Sequence, residues 1–343
     1  MKKLLLFTFL FLTGLGISGQ GFNIPTNRYF LGFGNTKNFS GIRFNFIDKN
    51  IDKINGINVT IWNARNDSEI SGTINGISIG LPMAYGSADR NGISLAIFGV
   101  GARDDINGIN IAGLGVGSGG DVNGINISGL ATGSGNDMNG INIGGLAVGG
   151  GRDVKGINWG GLAAGAGGDL QGITFGGIAA GAGQDVQGIS IGGIAVGAGR
   201  DLTGLSIGGV GLGAGRDVMG INISGIGMGA GRKLVGLNIA GVAIGAPNIN
   251  GFSMAPIIGG NYVQGLNVAP LYFTIRSDQE KLGIQKGVAI SSFNHIRGEQ
   301  RGLTIGILNI ADHLEGVQIG LINIARSNRK GLKVLPLFNG PFH

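Results

Sequence analysis

The chain has 343 residues, of which 74 are glycine, 43% are hydrophobic and none is cysteine. Glycine stands at about three times its usual share but lacks the three-residue period of collagen, and the hydrophobic content is too high for a disordered chain. Without cysteine, a disulfide framework, a thiol nucleophile and a cysteine-ligated zinc site are all excluded.

Residues 1–20 have the composition of a signal peptide. Two lysines precede an apolar run from Leu4 to Leu12, which is too short for a permanent membrane anchor. We predict cleavage near Gly19 or Gln20 and a place at the cell surface, in the outer membrane or outside the cell. Loss of the two lysines lowers the formal charge from +6 to +4, which is too small to indicate a nucleic-acid partner.

Residues 21–104 carry a short repeated segment in irregular form, made of glycine, isoleucine, a polar residue and an apolar residue. These segments begin at Gly56, Gly76 and Gly92. The bulky residues before them suit a cap over a first coil, which stacked-repeat proteins need. The cap candidates are Phe22, Phe30 and Phe33. Charged residues between Asn63 and Ser71 predict a longer loop.

Residues 105–248 form nine consecutive units of sixteen residues, each close to D-V-x-G-I-N-I-G-G-I-A-V-G-A-G-R. Positions four, nine and thirteen are glycine in every unit. Positions two, five, seven and ten are apolar, and position twelve is apolar in all units but one. So many glycines exclude an α-helix, because each costs up to about 1 kcal/mol there. The unit is therefore predicted to be strand and turn.

The alternation within each unit predicts two short strands. Apolar positions five and seven alternate with small or polar six and eight, which indicates a strand with one apolar face. Positions ten and twelve indicate a second strand of the opposite parity, with a corner at glycine nine and a turn from thirteen to sixteen. We predict an all-β, repetitive parallel β-solenoid with coils of 14–16 residues and a thin core.

The alternative fold is an outer-membrane β-barrel with one strand per repeat. An apolar ridge near the chain end and Phe342 beside the C-terminus favour it. The short, similar turns of the nine units oppose it, as does the change of apolar parity inside each repeat.

Two units show an apparent compensation of side-chain volume. Trp159 at position seven goes with Ala164 at position twelve, and Phe175 goes with Ala180. If positions seven and twelve meet inside one close-packed coil, a large residue requires a small one opposite. This pattern predicts a contact between Trp159 and Ala164.

Residues 249–343 form shorter-period repeats and a C-terminal cap. Position nine, predicted to face outward, becomes bulky there and forms an apolar ridge that offers a route to outer-membrane association. The ridge consists of Pro256, Pro270, Ile307, Leu321 and Pro336. The charged segment from Arg276 to Lys286 is interpreted as a solvated loop.

The end of the chain resembles a group of uncharacterised bacterial surface-repeat proteins. Residues 302–311 read G-L-T-I-G-I-L-N-I-A and residues 316–325 read G-V-Q-I-G-L-I-N-I-A. These segments are similar to the G-x-Q-I-G-L-I-N-I-A units of that group. The resemblance covers residues 302–339 well and the glycine-rich array more loosely. It implies an exported envelope or surface protein, with no reaction attached.

Position six forms a row of small polar residues, which the solenoid would stack about 4.8 Å apart. The row consists of Asn110, Asn126, Asn142, Asn158, Thr174, Ser190, Ser206, Asn222 and Asn238. Our main interpretation is a hydrogen-bonded ladder that stabilises the stack. The alternative is a flat binding face for a glycan, for ice or for a like protein.

Position one forms a row of carboxylates. The row consists of Asp105, Asp121, Asp137, Asp153, Asp169, Asp185, Asp201 and Asp217. Stacked carboxylates repel by roughly 1 kcal/mol or less per pair when solvated. Hydrogen bonds from turn amides and the arginines at position sixteen would offset this repulsion. The alternative is bridging by Ca²⁺, against which the period of sixteen and the apolar residue after each aspartate both argue.

Matches to catalytic motifs are by-products of the repeat. The pattern G-x-S-x-G occurs around Ser78, Ser190 and Ser206, which merely occupy position six. A nucleophile elbow also needs a strand-to-helix turn and a histidine partner. We therefore predict no catalytic residue and no cofactor.

Taken together, the sequence predicts an exported, non-enzymatic structural or adhesive repeat protein of the bacterial envelope or surface that presents a multivalent flat face. An integral outer-membrane β-barrel protein is the alternative, and a calcium-, glycan- or ice-binding solenoid is a weaker one. The expected partners are a glycan, an envelope component or other copies of the chain.

Overall fold

A computed structural model describes residues 22–26, 29–62, 69–278 and 281–342. The predicted signal peptide and residues 63–68 of the predicted charged loop lie outside these ranges. No helix in the described part of the chain is long and apolar enough to cross a membrane. The chain divides into two compact units, Met1–Gly135 and Asn136–His343.

The first unit contains twelve strands in the residues that the structure describes. They are β1 (Phe22–Thr26), β2 (Tyr29–Phe33), β3 (Asn38–Ile47), β4 (Lys53–Trp62), β5 (Thr73–Gly80), β6 (Met83–Ala84), β7 (Asp89–Ala96), β8 (Gly99–Ala102), β9 (Ile106–Ala112), β10 (Gly115–Ser118), β11 (Val122–Ser128) and β12 (Ala131–Ser134).

The second unit alternates long and short strands and ends in longer ones. They are β13 (Met138–Gly144), β14 (Ala147–Gly150), β15 (Val154–Gly160), β16 (Ala163–Ala166), β17 (Leu170–Gly176), β18 (Ala179–Ala182), β19 (Val186–Gly192), β20 (Ala195–Ala198), β21 (Leu202–Gly208), β22 (Gly211–Ala214), β23 (Asp217–Ser224), β24 (Gly227–Ala230), β25 (Lys233–Ala240), β26 (Ala243–Gly245), β27 (Asn248–Met254), β28 (Ile257–Gly260), β29 (Tyr262–Ile275), β30 (Gly283–Gln300), β31 (Leu303–Leu314), β32 (Val317–Ala325) and β33 (Val334–Asn339).

Each sixteen-residue repeat contributes one long and one short strand, and both pair in parallel with the equivalent strands of the next repeat. Between β17 and β19, for example, Leu170 pairs with Val186 and Gly172 with Gly188. Between β18 and β20 the short strands pair in the same way. Both units are therefore parallel β-solenoids, which confirms the predicted fold. The alternative with one strand per repeat is wrong.

The two ends of the described chain depart from this pattern. At the start, β1 pairs antiparallel with β2, which then pairs parallel with β3. At the end, β33 pairs antiparallel with β32. The predicted solvated loop after Arg276 is shorter than expected, because β30 begins at Gly283 and takes the last four residues of that segment.

The interior of each repeat is lined by positions two, six, eight and twelve. Position two is fully buried in all nine repeats, as in Val186 and Leu202, and position twelve is buried too, as in Val196. Positions six and eight also point inward. Positions five, seven and ten point outward, as in Ile189 and Ile194, which are 37% and 50% exposed.

The predicted inner face of the long strand is therefore wrong. Position twelve was correctly assigned to the core, but position ten, which was grouped with it, points outward. The prediction took the apolar residues at five and seven as the inward ones. In the structure, positions two, six and eight of the long strand all lie on its inner side. The amides at position six can satisfy one another from coil to coil, which removes most of the cost of burying them.

Glycine at position four is required by the backbone. These residues, from Gly108 to Gly236, have φ between 109° and 119°, a region that side chains with a Cβ rarely adopt. A Cβ on Gly188 would also overlap the carbonyl oxygen of Gly172 in the preceding coil. Each coil therefore bends at this glycine and lies close to its neighbour.

Candidate functional site

The position-six row lies inside the coils rather than on an outer face. Asn110, Asn222 and Asn238 are fully buried, and Ser190 is 2% exposed. The flat binding face proposed for this row is therefore corrected, because its side chains do not reach a partner outside. The sequence suggested the wrong side because small polar residues normally face solvent.

The buried amides form the predicted hydrogen-bonded ladder. In the first unit Asn110 donates to Asn126 at 2.9 Å. In the second, Asn142 donates to Asn158 at 2.9 Å and Asn222 to Asn238 at 3.0 Å. Between Asn158 and Asn222 the row changes to Thr174, Ser190 and Ser206. The ladder is thus a structural feature that runs in segments.

The residues of the apparent catalytic motifs are poorly placed for chemistry. Ser78, Ser190 and Ser206 are at most 3% exposed and point into the coils. His295 is half-buried and stacks on Phe293, with ring centroids 5.9 Å apart. Burial lowers the pKa of His295 below its ordinary value. Nothing in these positions pairs a serine with a histidine base.

A second amide ladder, which the sequence reading missed, runs along position three of the first unit. Asn75 donates to Asn55, Asn91 to Asn75, Asn107 to Asn91 and Asn123 to Asn107, at 2.9–3.0 Å. These side chains are half-buried. The recurrence of Asn one residue before the position-four glycine was the available signal.

The position-one aspartates join successive coils through their backbones. The carboxylate of Asp105 accepts a hydrogen bond from the amide of Asp121 at 2.8 Å. Asp169 accepts from Asp185 at 3.1 Å, and Asp185 from Asp201 at 3.1 Å. The predicted turn hydrogen bonds are therefore present.

Arginines at position sixteen pair with these aspartates, and we call the two rows together the charged corner. Arg200 forms two hydrogen bonds with Asp185, at 3.1 and 2.7 Å, and Arg232 pairs with Asp217 in the same way. Through its hydrogen bonds, each arginine lowers the pKa of its aspartate below the ordinary value. The ionised row is thus compensated by groups of the chain itself.

The geometry of the position-one row does not support the calcium hypothesis. Among the residues that the structure describes, no three Asp, Glu or His side chains are grouped so that they could hold a metal ion. The carboxylates are already occupied by backbone amides and by arginines. Calcium binding by this row stays a prediction without a site.

The second unit carries an extended apolar surface. In the seven repeats of residues 137–248, positions five, seven and ten carry only apolar side chains; we call this surface the outer apolar face. The position-ten row is 42–52% exposed. That row consists of Leu146, Leu162, Ile178, Ile194, Val210, Ile226 and Val242.

The outer apolar face continues beyond residue 248 in the same unit. The position-five row passes from Leu237 to Phe252 and Leu266 in register. The predicted C-terminal ridge is exposed at Ile307 and Leu321, which are 56% and 63% accessible. The ridge is therefore one end of a longer face rather than a separate feature.

One aromatic pair lies on this face and corrects an earlier expectation. Trp159 is 50% exposed while Ala164 is buried, so the predicted contact between them inside the coil is wrong. Trp159 stacks instead on Phe175 of the next coil, with centroids 4.2 Å apart.

Two clefts accompany these surfaces. An apolar cleft of about 630 Å³ in the first unit is lined by Met83, Tyr85, Phe98 and Leu114 among others. A more polar one of about 670 Å³ in the second unit lies beside the loop after β29. Neither cleft is lined by a serine or a histidine of the described chain. No protein-family model, no curated protein and no solved structure matches this chain.

Proposed function

We propose that this chain is an exported, non-enzymatic structural protein of the cell envelope or surface, which assembles with further copies of itself through the outer apolar face. The observation that carries the proposal is the outer apolar face, where each of the seven repeats of residues 137–248 directs the same three apolar positions outward. Export is supported by the predicted signal peptide and by the resemblance to surface-repeat proteins.

The size of the face is suited to a stable protein interface. Twelve long strands, from β13 to β32, stack in the second unit. At about 4.8 Å per coil and at most about 17 Å of chain from position five to position ten, which includes the corner at position nine, they present up to about 900 Å². A standard interface buries about 800 Å² on each partner, and the largest apolar patch of a soluble monomer is typically about 300–600 Å².

A second copy fits this face better than a glycan does. Sugar binding needs hydrogen-bonding groups on the surface and aromatic platforms. The outer apolar face has no polar side chain at its three positions in residues 137–248 and presents one aromatic pair, Trp159 and Phe175. The amides expected to bind a glycan are inside the coils.

A second copy also fits it better than a lipid surface does. Lipid-bound amphipathic surfaces are flanked by free lysines and arginines, whereas Arg200, Arg216 and Arg232 are each paired with an aspartate. Another copy has the same spacing between rows, so the rows of one face fit between those of the other. Such packing resembles two sheets meeting about 10 Å apart.

The test compares wild type with two glutamate variants by sedimentation velocity over a range of concentrations. Ile178→Glu with Ile194→Glu places two charges in the position-ten row, where both residues are at least 45% exposed. We expect wild type to associate and this variant to remain monomeric with an unchanged circular dichroism spectrum. Gln184→Glu, at the charged corner, is the matched control and should associate like wild type.

A cross-linking experiment identifies the surface used. Because the chain has no cysteine, Ile178→Cys introduces a single thiol into the outer apolar face, and Gln184→Cys introduces one outside it. Self-association through the face predicts rapid disulfide formation in the first variant and slow formation in the second. A wild-type chain that stays monomeric, or that binds vesicles while remaining monomeric, would contradict the proposal.

A further inference from the structure

The first unit buries an arginine in a row that is otherwise apolar. Arg90 occupies position two of its coil, where its neighbours in the parallel ladder are Ile74 and Ile106. It is 1% exposed. Its Nε donates to the carbonyl oxygen of Gly101 at 3.0 Å. Its two Nη atoms have no hydrogen-bond partner among the described residues.

The only buried carboxylate in the described part of this unit, Asp48, is already saturated. Arg43 pairs with its Oδ1, which also accepts from Asn45 at 2.9 Å. Its Oδ2 accepts from Asn58 at 2.8 Å and from Thr60 at 2.6 Å. No further acceptor position on Asp48 is left for Arg90.

The buried charges of the described first unit therefore do not balance. Two arginines, Arg43 and Arg90, and one aspartate, Asp48, are buried there, which leaves one net positive charge. Burial lowers the pKa of Arg90 to about 10, with Asp48 acting in the opposite direction and Arg43 adding to the decrease. A group with that pKa is still charged at neutral pH. An unpaired buried charge is strongly destabilising unless something compensates it.

Two buried hydroxyls without a hydrogen-bond partner among the described residues belong to residues next to the Arg43–Asp48 pair. Thr36 accepts a hydrogen bond from Arg43 through its carbonyl oxygen, but its Oγ1 has no partner in the described chain. Ser87 is fully buried with an unpaired Oγ. It follows Gly86, where an added Cβ would lie 2.8 Å from the Cβ of Asp48.

We propose that the interior of the first unit binds one small monovalent anion of the halide class against the Arg90 guanidinium, with the Ser87 and Thr36 hydroxyls as further donors. One negative charge brings the buried charges to zero, and hydroxyl groups can turn to donate to an anion. A water molecule would satisfy hydrogen bonds but would leave the charge. A divalent oxyanion would replace the excess positive charge by a negative one.

The test uses the chain without residues 1–20, unfolded in urea and refolded in sodium gluconate so that no halide remains. We expect the melting temperature to rise with added sodium chloride at constant ionic strength, because an ion that binds only the folded chain stabilises it by mass action. Arg90→Met should lose this dependence while fitting the apolar row. Arg152→Met, which removes an exposed arginine, should keep it.

A second measurement does not depend on a variant. Crystals of the wild-type chain grown with sodium bromide should show anomalous density within hydrogen-bonding distance of the Arg90 Nη atoms. Equal melting temperatures in chloride and gluconate, or a crystal with water alone at Arg90, would overturn the proposal. A chloride dependence that persists in Arg90→Met would overturn it as well.

Discussion

Trp159 and Phe175 occupy the same position in successive coils, and their rings stack at 4.2 Å with an interplanar angle of 19° on the outside of the solenoid. The stack follows from the parallel register, which places residues sixteen apart directly beside each other. Side chains on the outside therefore find their partners in the neighbouring coil. Only the inward side chains, at positions two, six, eight and twelve, can also meet within one coil.

The Trp159–Phe175 pair should show a measurable coupling. We expect a double-mutant cycle with Trp159→Ile and Phe175→Ile, followed by urea unfolding, to give a coupling of about 0.5–1.5 kcal/mol. A parallel cycle with Trp159→Ile and Ala164→Val should be additive, because Trp159 points outward from β15 and Ala164 points inward from β16. Coupling in the second cycle and none in the first would contradict the described register.

Glycine at position four should be far less replaceable than glycine at position thirteen. Gly188→Ala places a Cβ on a residue with φ 109° and against the preceding coil, so we expect a loss of at least about 2 kcal/mol in unfolding free energy. Gly197→Ala in the same repeat is the control. Its Cβ would meet nothing closer than 3.9 Å, and its effect should stay within about 1 kcal/mol.

The fold was predictable because it depends on features that repeat. The sixteen-residue period and its fixed glycines exclude helix and require equivalent residues to stack, and both the parallel pairing and the corner follow. The alternation alone did not show which side of the long strand points to the core. Both Ile189 and Ser190 belong to strictly periodic rows, and periodicity shows that their faces differ without showing which one is inside.

The candidate site was mispredicted for the same reason. Asn110 and its equivalents were placed on an outer face because the apolar residues beside them were taken as core, but a stacked row supplies buried amides with partners from the next coil. The outer apolar face was hidden because its residues were counted as core. Arg90 could have been noticed as the one charged residue at position two of a regular coil.

Breaking the inner ladder should cost more than changing an outer amide. Asn222 donates to Asn238 at 3.0 Å inside the coil, so Asn222→Ala leaves a buried oxygen without its donor. We expect a loss of about 1–3 kcal/mol in urea unfolding. Gln187→Ala, at an exposed position three, should change the unfolding free energy by about 0.5 kcal/mol or less. Equal losses of unfolding free energy in the two variants would indicate that the position-six row lies on the outside.

The charged corner should make stability fall in acid. The hydrogen bonds from Arg232 lower the pKa of Asp217 in the folded state below its ordinary value of 3.8. The stabilisation is therefore complete above that value and is lost as the pH falls through the folded pKa. Melting temperatures between pH 6 and pH 2.5 should decrease less steeply for Asp217→Asn than for wild type. Arg232→Gln should give the same shallow slope, and the double variant should add nothing further.

Removal of whole repeats should weaken self-association in steps while the fold persists. Deletion of residues 185–200 joins two coils of the same register, since Gly172, Gly188 and Gly204 occupy equivalent places. It shortens the stack by about 4.8 Å and removes three apolar side chains from the outer apolar face. Deletion of residues 185–216 removes six. Because the contacts are individually weak and repeated, the dissociation constant measured by sedimentation should rise with each deleted repeat.

Circular dichroism should report the same β-structure per residue. Complete loss of association after one deletion, with the fold intact, would indicate one discrete binding site and contradict a repetitive interface.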